Sequence, residues 1–323
     1  MHPGLSELGL KSPVILAPMS GVTDRPYRDS VQRYGAGLVV TEMIASKAVL
    51  MEIKDSRKLN TNIRDEPNMA VQLAGVEPSI IAEAAKVVEQ RGAKIIDLNF
   101  GCPAKKVTQK SSGSALMRDE VLCGHIFDAV VKAVQIPVSV KMRLGWDDDS
   151  LNAPKIAKMA ELAGLKMVTV HGRTRCQFYK GRANWVAVHA VREATSLPLV
   201  VNGDIGSFAD ADQSLMASGA DAVMIGRGSQ GRPWLLHQIG QYLTGANVDE
   251  SPKRSEQAIE CLRHFEATLS HYGKDLGMRI ARKHLISYGM GVRDAAQYRT
   301  KVASAASPND VRGLVQHYVG QSN

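Results

Sequence analysis

The chain has 323 residues, of which 44% are apolar and 22% charged, as in ordinary globular proteins. It contains no run of eighteen apolar residues, and residues 1–12 lack the apolar core of a signal peptide, so we expect no membrane association and a cytoplasmic location. The net charge of +8 favours a polyanionic partner such as a nucleic acid, although a merely basic soluble protein would have the same charge.

Eight short runs rich in β-branched residues predict strands, and their starts are 23 to 43 residues apart, which suits strand–helix units. The runs are Val14–Met19, Leu38–Met43, Met69–Gly75, Ile95–Gly101, Val138–Arg143, Met167–Arg173, Leu199–Ile205 and Ala222–Gly228. Helical spacing of apolar residues lies between them, at Pro78–Gln90, Asp119–Val134, Ala153–Ala163 and Phe208–Ser218. Eight such units predict an α/β fold, a (β/α)8 TIM barrel, with a doubly wound open sheet as the alternative.

The barrel pattern ends near residue 243, and the polar, turn-rich segment Thr244–Lys253 predicts a linker. Only helical patterns follow, so we predict a catalytic barrel over residues 1–243 and a small all-helical C-terminal domain over 254–323. Residues 271–301 carry seven Lys or Arg against two acids, which favours a nucleic-acid-binding face over an ordinary solvated one.

In a barrel the loops after the strands build the active site, so the residues at the predicted strand ends are the candidates. Lys141 and His171 follow neighbouring strands, and Gln72 offers an amide that both donates and accepts hydrogen bonds. Glycines after the seventh and eighth strands, among them Gly203 and Gly226, would let the backbone approach a phosphate, and Arg227 could bind the same group.

Cys102 directly follows the fourth predicted strand, in the stretch Asn99-Phe100-Gly101-Cys102-Pro103. Lys105, Lys106 and Lys110 come next, so this thiol lies beside a surface suited to a polyanion. The other cysteines, Cys123, Cys176 and Cys261, are far apart and form no C-x-x-C motif. We therefore predict no metal site of the cysteine type and a reducing compartment.

Six runs resemble the tRNA-dihydrouridine synthases, in the same order along the chain. They are Ala17-Pro18-Met19-Ser20-Gly21-Val22-Thr23-Asp24, Asp97-Leu98-Asn99-Phe100-Gly101-Cys102-Pro103, Lys141-Met142-Arg143-Leu144-Gly145-Trp146, Val170-His171-Gly172-Arg173-Thr174, Asn202-Gly203-Asp204-Ile205 and Met224-Ile225-Gly226-Arg227-Gly228. Cys102-Pro103-Ala104-Lys105-Lys106-Val107 and Arg279-Ile280-Ala281-Arg282-Lys283-His284 are similar to the bacterial B-type branch.

The resemblance implies an FMN-bearing barrel, a helical tRNA-binding domain, and NADPH-dependent reduction of uridine in tRNA. Cys102 would be the general acid, Asn99 and Arg143 would hold the uridine, and no protein partner is implied. The implied FMN ligands are Ala17, Pro18, Met19, Gln72, Lys141, His171, Asn202, Gly203, Asp204, Gly226 and Arg227. From the position of the basic residues we expect Lys105, Lys106, Arg282 and Lys283 to contact tRNA phosphates.

Two alternatives stay open from the sequence. An FMN barrel acting on a free pyrimidine would explain the barrel and the cysteine but not the basic helical domain. A tRNA-binding protein without turnover would explain the charge, but the presence of Cys102, Lys141 and His171 argues against it.

Overall fold

The computed structural model describes residues 1–51, 63–66, 68–109 and 111–321. Its strands form one parallel sheet that closes on itself, since β1 pairs with both β2 and β9 and β2 pairs with β4. The strands are β1 (Val14–Leu16), β2 (Leu38–Val40), β3 (Ile44–Ala45), β4 (Met69–Ala74), β5 (Ile95–Phe100), β6 (Val138–Arg143), β7 (Met167–His171), β8 (Leu199–Asn202) and β9 (Ala222–Ile225). The short β3 only extends the edge of β4, so the barrel is eight-stranded, as predicted, and the open sheet is wrong.

The helices follow the strands around the barrel and then continue past it. They are α1 (Pro3–Glu7), α2 (Arg25–Tyr34), α3 (Ser46–Leu50), α4 (Pro78–Gln90), α5 (Lys105–Thr108), α6 (Glu120–Ala133), α7 (Ala153–Ala163), α8 (His189–Ala194), α9 (Phe208–Ser218), α10 (Leu235–Leu243), α11 (Arg254–Tyr272), α12 (Lys274–Tyr288), α13 (Ala295–Ser304) and α14 (Pro308–Tyr318). Short 3-10 turns occupy Ile63–Asp65, Gly113–Arg118, Val186–Val188 and Arg227–Ser229. The predicted helices between the strands are present, and left-handed glycines end α7 at Gly164 and α9 at Gly219.

Alternation along the strands separates two apolar layers. Val14 and Leu16 face outward to the helices, whereas Ile15 and Ala17 belong to a second cluster with Leu38, Val40 and Ala70. Leu5 of α1 is part of that second cluster, together with residues at the beginnings of strands, so α1 closes the amino-terminal end of the barrel. The opposite end, where the strands finish, is left for polar side chains.

The helices α11 to α14 have a hydrophobic core of their own, which includes Phe265, Leu285, Tyr298 and Val315. Trp234, which precedes α10, also packs into it. The ion pair of Arg33 with the buried Glu260 (2.7 Å) joins this unit to α2 of the barrel. The fold class is confirmed, and the predicted division into 1–243 and 254–323 stays a prediction that is compatible with the two cores.

The buried face of α11 differs slightly from the most apolar spacing in its sequence. Leu262, Phe265, Leu269 and Tyr272 share one helical face, but the helix buries Ala258, Cys261, Phe265 and Thr268. The reason is that α11 packs against both α12 and α2, so its covered surface is shifted toward α2.

Candidate active site

The polar residues of the site occupy the inward-facing positions at the strand ends. Gln72 lies two residues after the inward-facing Ala70, and His171 lies four after Met167. Asn99, Lys141 and Asn202 follow the same alternation on their own strands. Strand periodicity therefore gathers side chains from distant segments at one mouth of the barrel.

A chain of buried side-chain hydrogen bonds crosses the mouth and ends at the loop of Cys102. Gln72 Nε2 donates to Asp97 Oδ2 (2.7 Å), and Asn99 Nδ2 donates to Gln72 Oε1 (2.7 Å). Asn99 Oδ1 in turn accepts from the Cys102 backbone N–H (3.0 Å). Burial raises the pKa of Asp97, while the hydrogen bonds from Gln72 and Ser139 oppose that shift.

Cys102 is half-buried, and its backbone is fixed on both sides. Its carbonyl accepts from the Ser114 N–H (3.1 Å) and from Ser114 Oγ (2.9 Å). Gly113 has a φ of +64°, and a Cβ at that position would lie 2.7 Å from the Cys102 carbonyl oxygen. The thiol is thus held in place at the mouth by a turn that only glycine accommodates.

Arg143, at the end of β6, donates hydrogen bonds to the loop after β5 and to the loop after β7. Its Nε donates to the Gly101 carbonyl (2.9 Å), and its Nη1 donates to the carbonyls of Thr174 and Phe178 (2.8 Å each). The guanidinium is buried, and burial lowers the pKa of Arg143 to about 10. Much of its donor capacity is therefore used inside the protein, and a contact to substrate stays a prediction.

Lys141 and His171 form the electrostatic centre of the mouth. Burial, followed by the nearby charge of Arg143, lowers the pKa of Lys141 to about 8. Burial and the surrounding cations hold the pKa of His171 well below its ordinary value. Arg173 Nη1 donates to His171 Nε2 (3.2 Å), so the imidazole is neutral and acts as an acceptor at that nitrogen.

Asp204 connects two arginines beside His171. Its carboxylate pairs with Arg173 and with Arg227 (3.2 Å) and also accepts from the Ala183 N–H (2.8 Å). Partial burial raises the pKa of Asp204, but the hydrogen bond from Arg173 and the other contacts outweigh it and hold that pKa below its ordinary value. Both carboxylate oxygens already bind groups of the protein, so Asp204 acts by positioning the guanidinium of Arg227.

Two adjoining cavities open at the strand ends, with volumes of about 460 Å³ and 610 Å³. The first is lined by every residue predicted to hold FMN except Gln72. The second is lined by Gln72, Asn99, Cys102 and Arg143. They share Pro18, Met19, Lys141, His171, Tyr179 and Arg227.

The residues predicted to contact tRNA fall into two groups. Lys105 and Lys106 are exposed on α5, directly after the cysteine loop, whereas Lys110 lies outside the described residues. Arg282 and Lys283 on α12 are only half-buried surface residues, and Lys283 faces the loop after β1, with its Nζ 3.4 Å from where a Cβ on Gly21 would lie. Their proposed role in tRNA binding is untested.

Sequence reasoning missed several residues of the mouth. Tyr179 lines both cavities and lies under the guanidinium of Arg227 (5.2 Å to the ring centroid). Arg232 lines the first cavity, and so does Met290 from beyond α12. Arg232 could have been suspected because it follows the last strand closely, but nothing local to Met290 indicates that it reaches the barrel.

Comparison with known proteins identifies the family of this chain. The family model for dihydrouridine synthases matches residues 15–321. The chain belongs to the dihydrouridine synthase family. It is 52% identical to a probable tRNA-dihydrouridine synthase of Rickettsia prowazekii over 97% of this chain and 96% of the relative. It is also 46% identical to tRNA-dihydrouridine synthase B of Pseudomonas aeruginosa over 90% of this chain and 88% of the relative. The family resemblance is thereby confirmed.

Two solved structures share the barrel. Histamine dehydrogenase from Rhizobium sp. 4-9 superposes with a TM-score of 0.55 at 14% identity, covering 72% of this chain and 46% of that one. Morphinone reductase in complex with tetrahydroNAD gives a TM-score of 0.51 at 16% identity, covering 75% and 89%. At these identities the likeness concerns the fold alone. No helix of the described part of the chain is long and apolar enough to cross a membrane.

Proposed function

We propose that this protein uses FMN and NADPH to reduce the C5–C6 bond of uridines in tRNA, giving 5,6-dihydrouridine. The observation that carries the proposal is the pair of adjoining cavities. One cavity is rich in glycine and arginine at one end, and the other is lined by Cys102. Lys141 and His171 line both cavities. Membership in the dihydrouridine synthase family supports the same reaction.

The first cavity suits a flavin phosphate. Arg232 lines it, and the Nε of Arg232 is buried without a hydrogen-bond partner among the described residues, as is expected of a donor that awaits an anion. Arg227 adds a second, more exposed guanidinium, and a Cβ on Gly206 would have no neighbour closer than 3.7 Å. The phosphate would thus bind near Gly203, Gly226 and Arg227.

The second cavity suits the heterocycle and the uracil ring. When bound, FMN supplies the hydride that adds to C6 of uracil. Negative charge then develops on O4 and C5, and the Cys102 thiol donates the proton that C5 requires, as a general acid. Lys141 provides positive charge in this low-dielectric site, and His171, neutral at Nε2, provides a hydrogen-bonding ring without further charge.

Positive charge outside the cavities favours tRNA as the substrate. Lys105 and Lys106 are exposed beside the cysteine loop, and the helical unit exposes Lys274, Arg279, Arg293, Arg299 and Lys301. A uridine in folded tRNA must leave its stack to reach the cavity, at a cost of a few kcal/mol, and phosphate contacts at these cations would offset that cost. A free pyrimidine would need none of them.

The test compares substrates and cofactors on the purified protein. We expect flavin absorbance, NADPH oxidation, and dihydrouridine in tRNA from a strain that lacks the enzyme, with NADH less effective and free uracil unchanged. Reduction of free uracil at a similar rate would favour the free-pyrimidine alternative. A colourless, folded protein that binds tRNA without turnover would favour the binding protein.

A further inference from the structure

A second cluster of buried polar side chains lies where the barrel meets the helical unit. Asp24 is the N-cap residue of α2, His264 lies on α11 and His284 on α12. Their exposed fractions are 4%, 2% and 3%. One potential ligand atom from each lies within 4.8 Å of the others.

Apart from an interaction between the Tyr272 hydroxyl and the Asp24 carboxylate, these ligand atoms have no hydrogen-bond partners within the part of the chain that the structure describes. They are Asp24 Oδ2, both ring nitrogens of His264, and Nε2 of His284. The other carboxylate oxygen of Asp24 caps α2 by accepting from the Tyr27 N–H (3.1 Å). Buried polar atoms are normally satisfied, so such a concentration of unpaired atoms at one point indicates a missing ligand.

Aromatic neighbours hold the two imidazoles in fixed orientations. The Tyr27 ring stacks on His284, with centroids 5.2 Å apart, and the Tyr288 ring meets His264 edge-on at 6.0 Å. The two imidazole centroids are 4.6 Å apart. Burial, and then Glu42, raise the pKa of the Asp24 carboxyl, whereas the hydrogen bonds from the Tyr27 N–H and Tyr272 and the charge of Lys283 lower it.

We propose that Asp24, His264 and His284 bind one divalent transition-metal ion, most simply Zn²⁺, which joins the barrel to the helical unit. Two neutral imidazoles and one carboxylate are a common ligand set for Zn²⁺. Tetrahedral bonds of about 2.0–2.1 Å would place the ligand atoms about 3.4 Å apart, so side-chain rotations of on the order of 1 Å would close the cluster around the ion.

Bridging water is the competing explanation, since buried water commonly satisfies such groups. The metal titration distinguishes the two, because a cluster satisfied by water would bind no Zn²⁺. Our sequence expectation of no metal site rested on the cysteine pattern, and it could not detect ligands separated by about 240 residues.

The experiment measures metal binding without flavin, tRNA or turnover, so it stays interpretable if the proposed function fails. Untagged protein is stripped with EDTA, dialysed, and titrated with ZnCl₂ and with CoCl₂. Bound metal is counted by mass spectrometry, Co²⁺ coordination is followed by its visible absorption bands, and thermal unfolding is recorded. We expect one Zn²⁺ per chain and a rise in Tm of several degrees.

Variants locate the site. Asp24→Asn keeps the helix cap, because asparagine caps as well as aspartate, but removes the anionic ligand. His264→Gln removes an imidazole, and His271→Gln, on the same helix, is the matched control. We expect the first two to lower Zn²⁺ affinity at least tenfold and the control to bind like the wild type.

Either of two results would overturn the proposal. One is wild-type protein that binds no Zn²⁺ or Co²⁺ and keeps its Tm, which needs no variant to interpret. The other is equal stoichiometry and affinity in all variants, which would mean adventitious surface binding. If Asp24→Asn or His264→Gln fails to fold, the wild-type titration decides.

Discussion

The barrel mouth and the junction between barrel and helices are both rich in buried polar groups, but they differ in how those groups are satisfied. At the mouth, Gln72, Asn99 and Arg143 find partners within the barrel and its loops. At the junction, Asp24, His264 and His284 leave ligand atoms unpaired. Apart from Arg232 Nε in the first cavity, the mouth is therefore preorganised by the chain itself, whereas the junction lacks partners that the proposed metal ion would supply.

The difference also has a topological origin. The partners at the mouth come from adjacent strands, β4 with β5 and β5 with β6, whose register fixes their side chains together. The junction combines three helices from two separate cores, and their relative placement depends on tertiary packing. Four predictions follow this contrast, from the largest expected effect to the smallest.

The first concerns the thiol that the mouth holds in place. Cys102→Ala should lower dihydrouridine formation by roughly 10²–10⁴-fold, which is the usual contribution of general acid catalysis. Flavin content and NADPH oxidation without tRNA should persist, because the residues of the first cavity are unchanged. The measurement is dihydrouridine per tRNA over time. Cys176→Ala, at an exposed cysteine, is the matched control. A near-normal rate in Cys102→Ala would exclude the thiol as proton donor.

Much of this mouth was predictable from the sequence. β-branched runs located the strands, and Lys141 and His171 became candidates because they lie at the predicted strand ends. The actual partners were not predictable. Gln72 was expected among the FMN ligands, and its amide binds Asp97 and Asn99 of the adjacent strand within the protein.

The sequence does not predict features that depend on how distant elements pack together. A basic run does not reveal which side of α12 faces the barrel, so the approach of Lys283 to the loop after β1 could not be predicted. Gly203 was expected to be open for a phosphate, but a Cβ there would lie 2.8 Å from the His171 ring. Gly203→Val would thus displace His171 whether or not a phosphate binds, and Arg227→Ala is the cleaner test of the phosphate site.

The second prediction concerns the stability cost of Lys141. Its pKa is about 8 in the folded protein against an ordinary 10.5, so between these values the unfolded chain binds more protons than the folded one. The contribution of Lys141 to the free energy of unfolding therefore rises with pH through this window, and the full penalty applies below pH 8. Lys141→Met should stabilise flavin-free protein at pH 7 by at most about 3 kcal/mol.

Urea unfolding of flavin-free protein at pH 7 and pH 9.5 measures this effect. The gain from Lys141→Met should shrink at the higher pH, while dihydrouridine formation falls at both. Lys166→Met, at an exposed lysine that precedes β7, is the control and should show no such trend. An equal gain at both pH values would mean that burial of the ammonium does not limit stability.

The third prediction separates two roles of Asn99. Asn99→Ala leaves Gln72 Oε1 and the Cys102 N–H without their partner, so it should cost about 1–3 kcal/mol of stability. A positioning role predicts a lower kcat at similar KM, since the cysteine loop loosens. A contact to uridine predicts chiefly a higher KM. Asn184→Ala, at an exposed asparagine, controls for the loss of an amide.

The fourth prediction separates the exposed cations of α12 from those at the junction. Lys274 and Arg279 are exposed, whereas Arg282 and Lys283 are half-buried, and Lys283 approaches the loop after β1. Removing Lys274 and Arg279 should weaken tRNA binding roughly tenfold at physiological salt, and each lost contact should flatten the log–log salt dependence by about 0.7. Removing Arg282 and Lys283 should lower Tm as well, because it disturbs the packing of α12.

The measurement is tRNA affinity at several salt concentrations together with Tm and the rate of NADPH oxidation without tRNA. Lys94→Ala with Lys166→Ala is the matched pair, since both lysines are exposed and precede strands, at the end of the barrel away from the mouth. If this pair weakens binding as much as Lys274→Ala with Arg279→Ala, the interaction follows net charge alone. A selective loss on α12 with unchanged NADPH oxidation would assign that helix to tRNA and leave the flavin cavity undisturbed.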